Sequence, residues 1–286
     1  MEIKNVCVVG AGVMGRQIAL NAAVSGYQVS LCDAFPDTLK EAGEWAKGFL
    51  DKSVQKEKMT KEEAARALER LVYAQDMEAA LKDADLVIEA IIEKEDIKRA
   101  FFEKVKACAS ANTIVASNSS FMPSSKFADI FEDPSRLANL HYFNPAMLMK
   151  LVEIVRGPHT GDQTVEALKH FVDSIGKTYI LVNKEIDGFV VNRLLRAIQN
   201  EAFFLYQEGV ADYADIDTGA EKGLNHPMGP FRLLDLAGID ICYLSRQAKY
   251  EKTGDPADEP PAFLKEKYDK GELGRKTGKG WYDYNK

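Results

Sequence analysis

The 286-residue sequence predicts an α/β fold: a mostly parallel sheet covered by helices, followed by an all-α domain. Three observations predict it. From residue 1 to about 183, short β-branched runs alternate with amphipathic stretches of roughly ten to twenty residues, the pattern of strands joined by crossover helices. A cluster of glycines follows the first run, where a strand has to turn tightly into a helix. Past residue 186 no convincing strand follows and the apolar spacing becomes helical. The two domains are therefore expected over residues 1–185 and 186–286.

Taken in order, the strands read "NVCVVG", "QVSLCD", "LVYAQ", "DLVIEA", "TIVASN", "RLANLHYF", "KLVEIV" and "KTYILV". Between the second and third lies residues 37–69, of which "KEAGEWAKGFLDKSVQKEKMTKEEAARALERL" is rich in Lys and Glu at helical spacing. It is too long for a plain crossover helix and is expected to form a helical hairpin projecting from the sheet, with a solvated charged face. In the second domain "GFVVNRLLRAIQNEAFFLYQEG" keeps Val191, Leu194, Leu195, Ile198, Ala202 and Leu205 near one face, and Gly209 is placed to stop the helix. Two or three more helices are expected after it. In "HPMGPF", Pro227, Gly229 and Pro230 make a rigid turn before a helix beginning "FRLLDLAGID", with nothing that looks like an acid or base.

Composition narrows the partners. A net charge of -7 repels nucleic acid, while still permitting a local basic pocket for an anionic small molecule. Cys7, Cys32, Cys108 and Cys242 are scattered, with no CxxC and no His at ligand spacing, so neither a disulfide framework nor a metal site is indicated. No apolar run approaches the roughly twenty residues of a membrane span. "MEIKNVCVVG" enters a strand without a basic leader, so a soluble, cytoplasmic protein is expected.

"VCVVGAGVMGRQIALNAAVSGYQVSLCD" places Gly10, Gly12 and Gly15 between a strand and a helix, with Asp33 closing the next strand. Gly10 allows the tight turn, Gly12 lets the backbone approach a pyrophosphate, and Gly15 permits close helix packing, so the helix N-terminus faces the phosphates. A GxGxxG alone is weak, since glycines cluster in ordinary turns. Strand, helix and closing acid together make it a dinucleotide site of the Rossmann type. Asp33 should accept from an adenosine ribose, and "DAFPD" offers no neighbouring Arg to hold a 2′-phosphate, so NAD rather than NADP is expected.

"NLHYFNPAMLMKLVEIV" raises a different question, because His141 and Glu153 each sit inside an apolar run. Burying an ionisable group costs several kcal/mol unless it is paired. A buried His and a buried Glu in consecutive strands point to a pair. Each alone reads as a satisfied core histidine or a strand-edge carboxylate.

These residues also carry a resemblance. "GAGVMG", "VIEAIIEK", "ASNSS", "HYFNP", "MKLVEI", "DGFVVNRLL", "HPMGPFRLLDLAGID" and "GRKTGKGWYDY" stand in the order and spacing of the short-chain L-3-hydroxyacyl-CoA dehydrogenases, over essentially the whole chain. The sequence most resembles the bacterial 3-hydroxybutyryl-CoA branch. The resemblance implies an NAD-linked interconversion of (S)-3-hydroxybutyryl-CoA and acetoacetyl-CoA in an interdomain cleft, with His141 as general base or acid and Glu153 holding its tautomer. It implies that Ser120 and Asn192 donate hydrogen bonds to the substrate's oxygens. By the same resemblance Glu93, Lys98, Ser120, Asn144 and Lys276 contact the cofactor. Ordinary alternatives are surface salt bridges for Glu93 and Lys98, just past the fourth strand, and a solvated lysine for Lys276. Lys56, with Lys52 one turn before it, falls where the family places a CoA-contacting lysine, although a charged face explains both equally. The helical domain is implied to form the interface of a homodimer or higher homo-oligomer.

Two departures bear on the pocket. Where the family continues "SNTSSL" this chain has "SNSSFM", so Phe121 either packs under its loop or narrows the acyl pocket toward four-carbon substrates. "NPAML" follows the histidine where a second Pro is common. Two other functions stay open at this point: a dehydrogenase of a free hydroxy acid of the L-gulonate or carnitine type, and a non-catalytic NAD-binding protein.

Overall fold

The computed structural model describes residues 2–285. They divide into two compact units, one ending at Val190 and one beginning at Val191.

The first unit is built on β1 (Asn5–Val9), α1 (Val13–Val24), β2 (Gln28–Cys32), α2 (Pro36–Gln55), α3 (Lys61–Arg70), β3 (Leu71–Ala74), α4 (Met77–Lys82), β4 (Leu86–Glu89), α5 (Glu95–Cys108), β5 (Ile114–Ser117), β6 (Leu137–Tyr142), β7 (Leu151–Val155), α6 (Asp162–Ser174) and β8 (Thr178–Val182). Its sheet has eight strands in the order β3-β2-β1-β4-β5-β6-β7-β8. Each neighbouring pair is parallel except β6 and β7, which run antiparallel. Chain order reverses between β1 and β4, and such a switch opens a crevice at the carboxyl ends of the strands.

Both faces of the sheet are buried, which is why the strands read as continuous apolar runs. Val6 and Val8 point to the face covered by α1, α2, α3 and α6, while Cys7 and Val9 point to the face covered by α4 and α5. Cys7 and Cys32 lie buried on neighbouring strands with their sulfurs 3.9 Å apart.

The helical hairpin consists of α2 and α3. Leu39, Ala42, Ala46 and Leu50 of α2 and Ala64 and Ala67 of α3 join the core on the α1 side, so one stripe of the hairpin is anchored while its charges face water. α3 starts on a capping box in which Thr60 and Glu63 satisfy each other's backbone amides.

The second unit holds α7 (Val191–Gln207), α8 (Tyr213–Thr218), α9 (Pro230–Ala237), α10 (Ile239–Thr253) and α11 (Ala262–Asp269), and no strand among the described residues. Among the described residues four α-helices therefore follow α7, not two or three; α8 and α11 are too short to show a period in sequence. The apolar face read for α7 is covered only in part, at Ala202. Its buried residues are Gln199, Ala202 and Phe203, whereas Leu194 is 60% and Ile198 41% exposed. Helical spacing identifies a stripe but not which neighbour covers it, and here the aromatic core of Phe203, Phe231 and Trp281 selects the adjacent stripe. The turn at Pro227–Pro230 is architectural: Asp217 accepts from the amides of Phe231 and Arg232 at 2.8 and 3.0 Å, capping α9. Among the described residues no helix is long and apolar enough to cross a membrane.

Candidate active site

The glycine turn is built as its spacing predicts. Gly10 has φ +102°, and a Cβ there would stand 2.4 Å from the Ala90 carbonyl oxygen at the end of β4. A Cβ on Gly15 would meet the Gly10 carbonyl oxygen at 1.7 Å, so only glycine lets α1 start this close to the turn. At Gly12 a Cβ would meet nothing within 4 Å, which leaves the approach to the N-terminus of α1 bare. Asp33 accepts from the Ala11 amide at 2.7 Å and the Phe35 amide at 2.9 Å, one on each oxygen, so each oxygen keeps a lone pair for ribose hydroxyls. A bare helix N-terminus, a close-approach turn and an acceptor at the second strand together fit a dinucleotide without a 2′-phosphate.

On the α5 face, near the carboxyl ends of the strands, a polar row crosses the sheet. Glu89 pairs in register with Ser117, and Ser117 with Asn139. One step up the strands, His141 pairs with Glu153 across the antiparallel β6-β7 ladder. Residues opposite one another in a ladder point to the same face, so the two ionisable side chains meet. His141 Nδ1 lies 2.7 Å from Glu153 Oε2, with His141 3% and Glu153 0% exposed. A buried carboxylate accepts only, so Nδ1 carries the hydrogen, and Nε2 is left to accept from the Ser120 hydroxyl at 2.8 Å. Glu153 Oε1 accepts from the Val190 amide at 3.0 Å. Phe143 and Phe189 stand roughly edge-to-face on the imidazole, with centroids at 4.8 and 5.5 Å.

Glu93 and Lys98 make a salt bridge in which the lysine is enclosed and the carboxylate is exposed. Lys98 lies in the first turn of α5 and is 1% exposed; its ammonium is 2.5 Å from Glu89 Oε1 and 3.1 Å from Glu93 Oε2. Ser117 donates to Glu89 Oε2 at 2.6 Å, and Ser119 donates to Glu93. The amides of Phe121 and Met122 then donate to the Ser119 oxygen. This network reaches from the end of β4 into the loop that presents Ser120. Glu89 was passed over in sequence, although it carries the signal that picks out His141, an ionisable group inside an apolar run. Lys98 carries no such signal, because a lysine among the charges at the start of α5 looks solvated, and it was named only through the resemblance.

Asn144 is exposed, and its Oδ1 accepts from the buried Gln17 at 3.4 Å. Phe121 is 46% exposed, so it does not pack beneath its loop. Lys52 and Lys56 are exposed at the C-terminal end of α2. In the second unit Asn192 sits half-buried in the first turn of α7, and Lys276 makes a two-pronged pair with Asp240 at 2.5 and 2.6 Å. Among the described residues no group of three or more His, Cys, Asp or Glu could hold a metal ion.

Residues 5–186 match the family model described as 3-hydroxyacyl-CoA dehydrogenase, NAD binding domain, and residues 188–284 match that of the C-terminal domain. The chain is 40% identical over 282 residues to a 3-hydroxybutyryl-CoA dehydrogenase of Bradyrhizobium diazoefficiens, covering 99% of this chain and 96% of that one. It is 37% identical to a probable 3-hydroxybutyryl-CoA dehydrogenase of Bacillus subtilis, covering 99% and 98%. A crystal structure of the (S)-3-hydroxybutyryl-CoA dehydrogenase of Ralstonia eutropha superposes with a TM-score of 0.88 at 37% identity, covering 100% of both chains.

Proposed function

The chain belongs to the 3-hydroxyacyl-CoA dehydrogenase family, and from that premise we propose that it interconverts (S)-3-hydroxybutyryl-CoA and acetoacetyl-CoA, with His141 moving the proton. The observation that carries this reading is the hydrogen-bonded line Ser120–His141–Glu153 on the carboxyl edge of the sheet that also bears the glycine turn and Asp33. Alone, such a line serves acyl transfer as well as proton transfer. The dinucleotide turn supports proton transfer.

Bound NAD supplies the hydride acceptor for the alcohol carbon, or the donor in reverse. His141 Nε2, freed when the Ser120 hydroxyl turns from it to the substrate oxygen, takes the hydroxyl proton during oxidation and returns it during reduction. Glu153 fixes the tautomer through Nδ1 and stabilises the imidazolium that forms. The Ser120 hydroxyl, already within reach of Nε2, steadies charge on the substrate oxygen, and Asn192 is proposed as a second donor to substrate oxygens. For the cofactor, Glu93, Asn144 and Lys276 keep the contacts that the resemblance implies. Lys98 serves through its bond to Glu93, since its own ammonium is enclosed. Lys56, exposed with Lys52, suits the phosphates of CoA. The second unit carries the homo-oligomer interface, and the protein acts in the cytoplasm.

The test is to follow NADH absorbance after adding acetoacetyl-CoA, with free acetoacetate as the control. Oxidation of NADH with the thioester and not the free acid is expected. Turnover of acetoacetate alone would move the chain to the hydroxy-acid dehydrogenases, and no turnover of either would leave a non-catalytic NAD-binding protein.

A further inference from the structure

The segment between β8 and α7 is tied to both halves of the Ser120–His141–Glu153 line. At its near end Glu185 Oε1 accepts from the Ser124 hydroxyl and from the Ser125 amide, each at 3.0 Å. Ser124 is fully buried, and its amide donates to Asn139 Oδ1 at 2.7 Å. Asn139 in turn donates to the Met122 carbonyl at 3.0 Å. These bonds hold residues 122–125, just past Ser120 in the same loop.

The Ser124 hydrogen is committed to Glu185, so its oxygen accepts from His159 Nε2 at 3.3 Å, which places the ring hydrogen on Nε2. Burial pushes the His159 imidazole down in pKa, against the opposing pull of Glu185 and the Leu137 backbone. Gly157 makes the room, since a Cβ there would stand 2.4 Å from the His159 ring and 2.9 Å from Glu185 Oε1.

At the far end Gly188 and Phe189 are both left-handed, with φ +74° and +48°. A bulky L residue adopts that conformation only where its surroundings over-determine it. Here the surroundings are Val155 and Val182, which pack on the Phe189 ring. The twist brings that ring against His141 and delivers the Val190 amide to the Glu153 oxygen that His141 does not use.

We propose that Glu185–Val190 is a positioning strap: Glu185 holds the loop presenting Ser120, while Phe189 and Val190 hold the imidazole and carboxylate, so one segment keeps all three groups in line. Glu185 and Phe189 are positioning residues, since each acts through its neighbours. Placing reacting groups within a fraction of an ångström matters strongly to rate, so their loss is read in kcat. The kinetic readout rests on the dehydrogenase reading above; the geometry does not.

The test uses the full chain with Glu185→Ala, Glu185→Gln and Phe189→Leu. With acetoacetyl-CoA and NADH, Glu185→Ala and Phe189→Leu should each lose about tenfold in kcat with the KM for NADH within about twofold. Glu185→Gln keeps an acceptor oxygen and should recover to within about threefold of wild type. Proton NMR supplies a reading independent of turnover, because the Nδ1 hydrogen held by Glu153 resonates far downfield. That resonance should move or broaden in Phe189→Leu. If wild type turns over no acetoacetyl-CoA, the function proposed above falls and the resonance still decides the strap. Unchanged kcat with an unmoved resonance overturns the strap, as does a fall in thermal stability alone. If Phe189→Leu does not fold, Glu185→Ala and its rescue by Gln decide by the same criteria.

Discussion

At the scale of single residues the decisive cost is electrostatic. His141 and Glu153 are nine-tenths or more buried, and an unpaired charge there would cost several kcal/mol, so each is tolerated because the other is present. That mutual dependence made them legible in sequence as misfits inside apolar runs. Glu185, Phe189 and the Val190 amide gave no such signal: an acid in a polar loop and an aromatic at a helix start are ordinary, and only the tertiary twist gives them a partner. Removing the base tests the pair directly. His141→Ala should lower kcat by roughly 10² to 10⁴ while NADH affinity, measured by fluorescence titration, changes little. Turnover within about threefold of wild type would take His141 out of the mechanism.

At the scale of elements, the β6-β7 connection shows how a loop is held beside the site. Residues 143–150 join the strands of His141 and Glu153, and Lys177, buried near the start of β8, donates to the Ala146 and Met149 carbonyls at 2.6 and 2.7 Å. Burial, then the nearby Lys150, lowers the Lys177 ammonium to about 8. The neutral amine keeps two N–H donors, so it can serve both carbonyls after losing its proton. The sign follows from linkage. The folded group releases its proton near pH 8 while the unfolded lysine keeps it until about 10.4, so Lys177 makes stability rise with pH between those values. Urea titrations of wild type and Lys177→Met should therefore diverge in favour of wild type from pH 8 upward, other titrations cancelling in the difference. Curves that stay parallel would place no titration there. The strands and the glycine turn were readable because a strand buried on both faces has to be continuously apolar and a phosphate turn has to be bare of side chains. The faces of helices were less readable, because periodicity does not name the covering partner, as α7 shows.

At the scale of the whole molecule, the uncovered part of the α7 face bears on assembly. Leu194 and Ile198 on α7, Leu236 on α9, and Ile241 and Leu244 on α10 are all 41% exposed or more. α9 packs against both α7 and α10, so these side chains belong to adjoining helices and not to scattered sites. Single exposed leucines need no explanation, but grouped ones on neighbouring helices mark an association surface. A second copy of the chain covering them would remove apolar area from water at about 25 cal/mol per Å², and the exposed α7 residues would then be core in the assembly. Placing two carboxylates there should oppose that burial, since each would be desolvated without a partner. In sedimentation velocity the wild-type protein is expected at twice the chain mass of 31.8 kDa or more, and the Leu194→Glu, Ile198→Glu double variant should shift toward the single chain with its helical content intact. Wild-type protein that sediments as a single chain across the micromolar range would show that the exposed face of α7 has no copy of itself to meet.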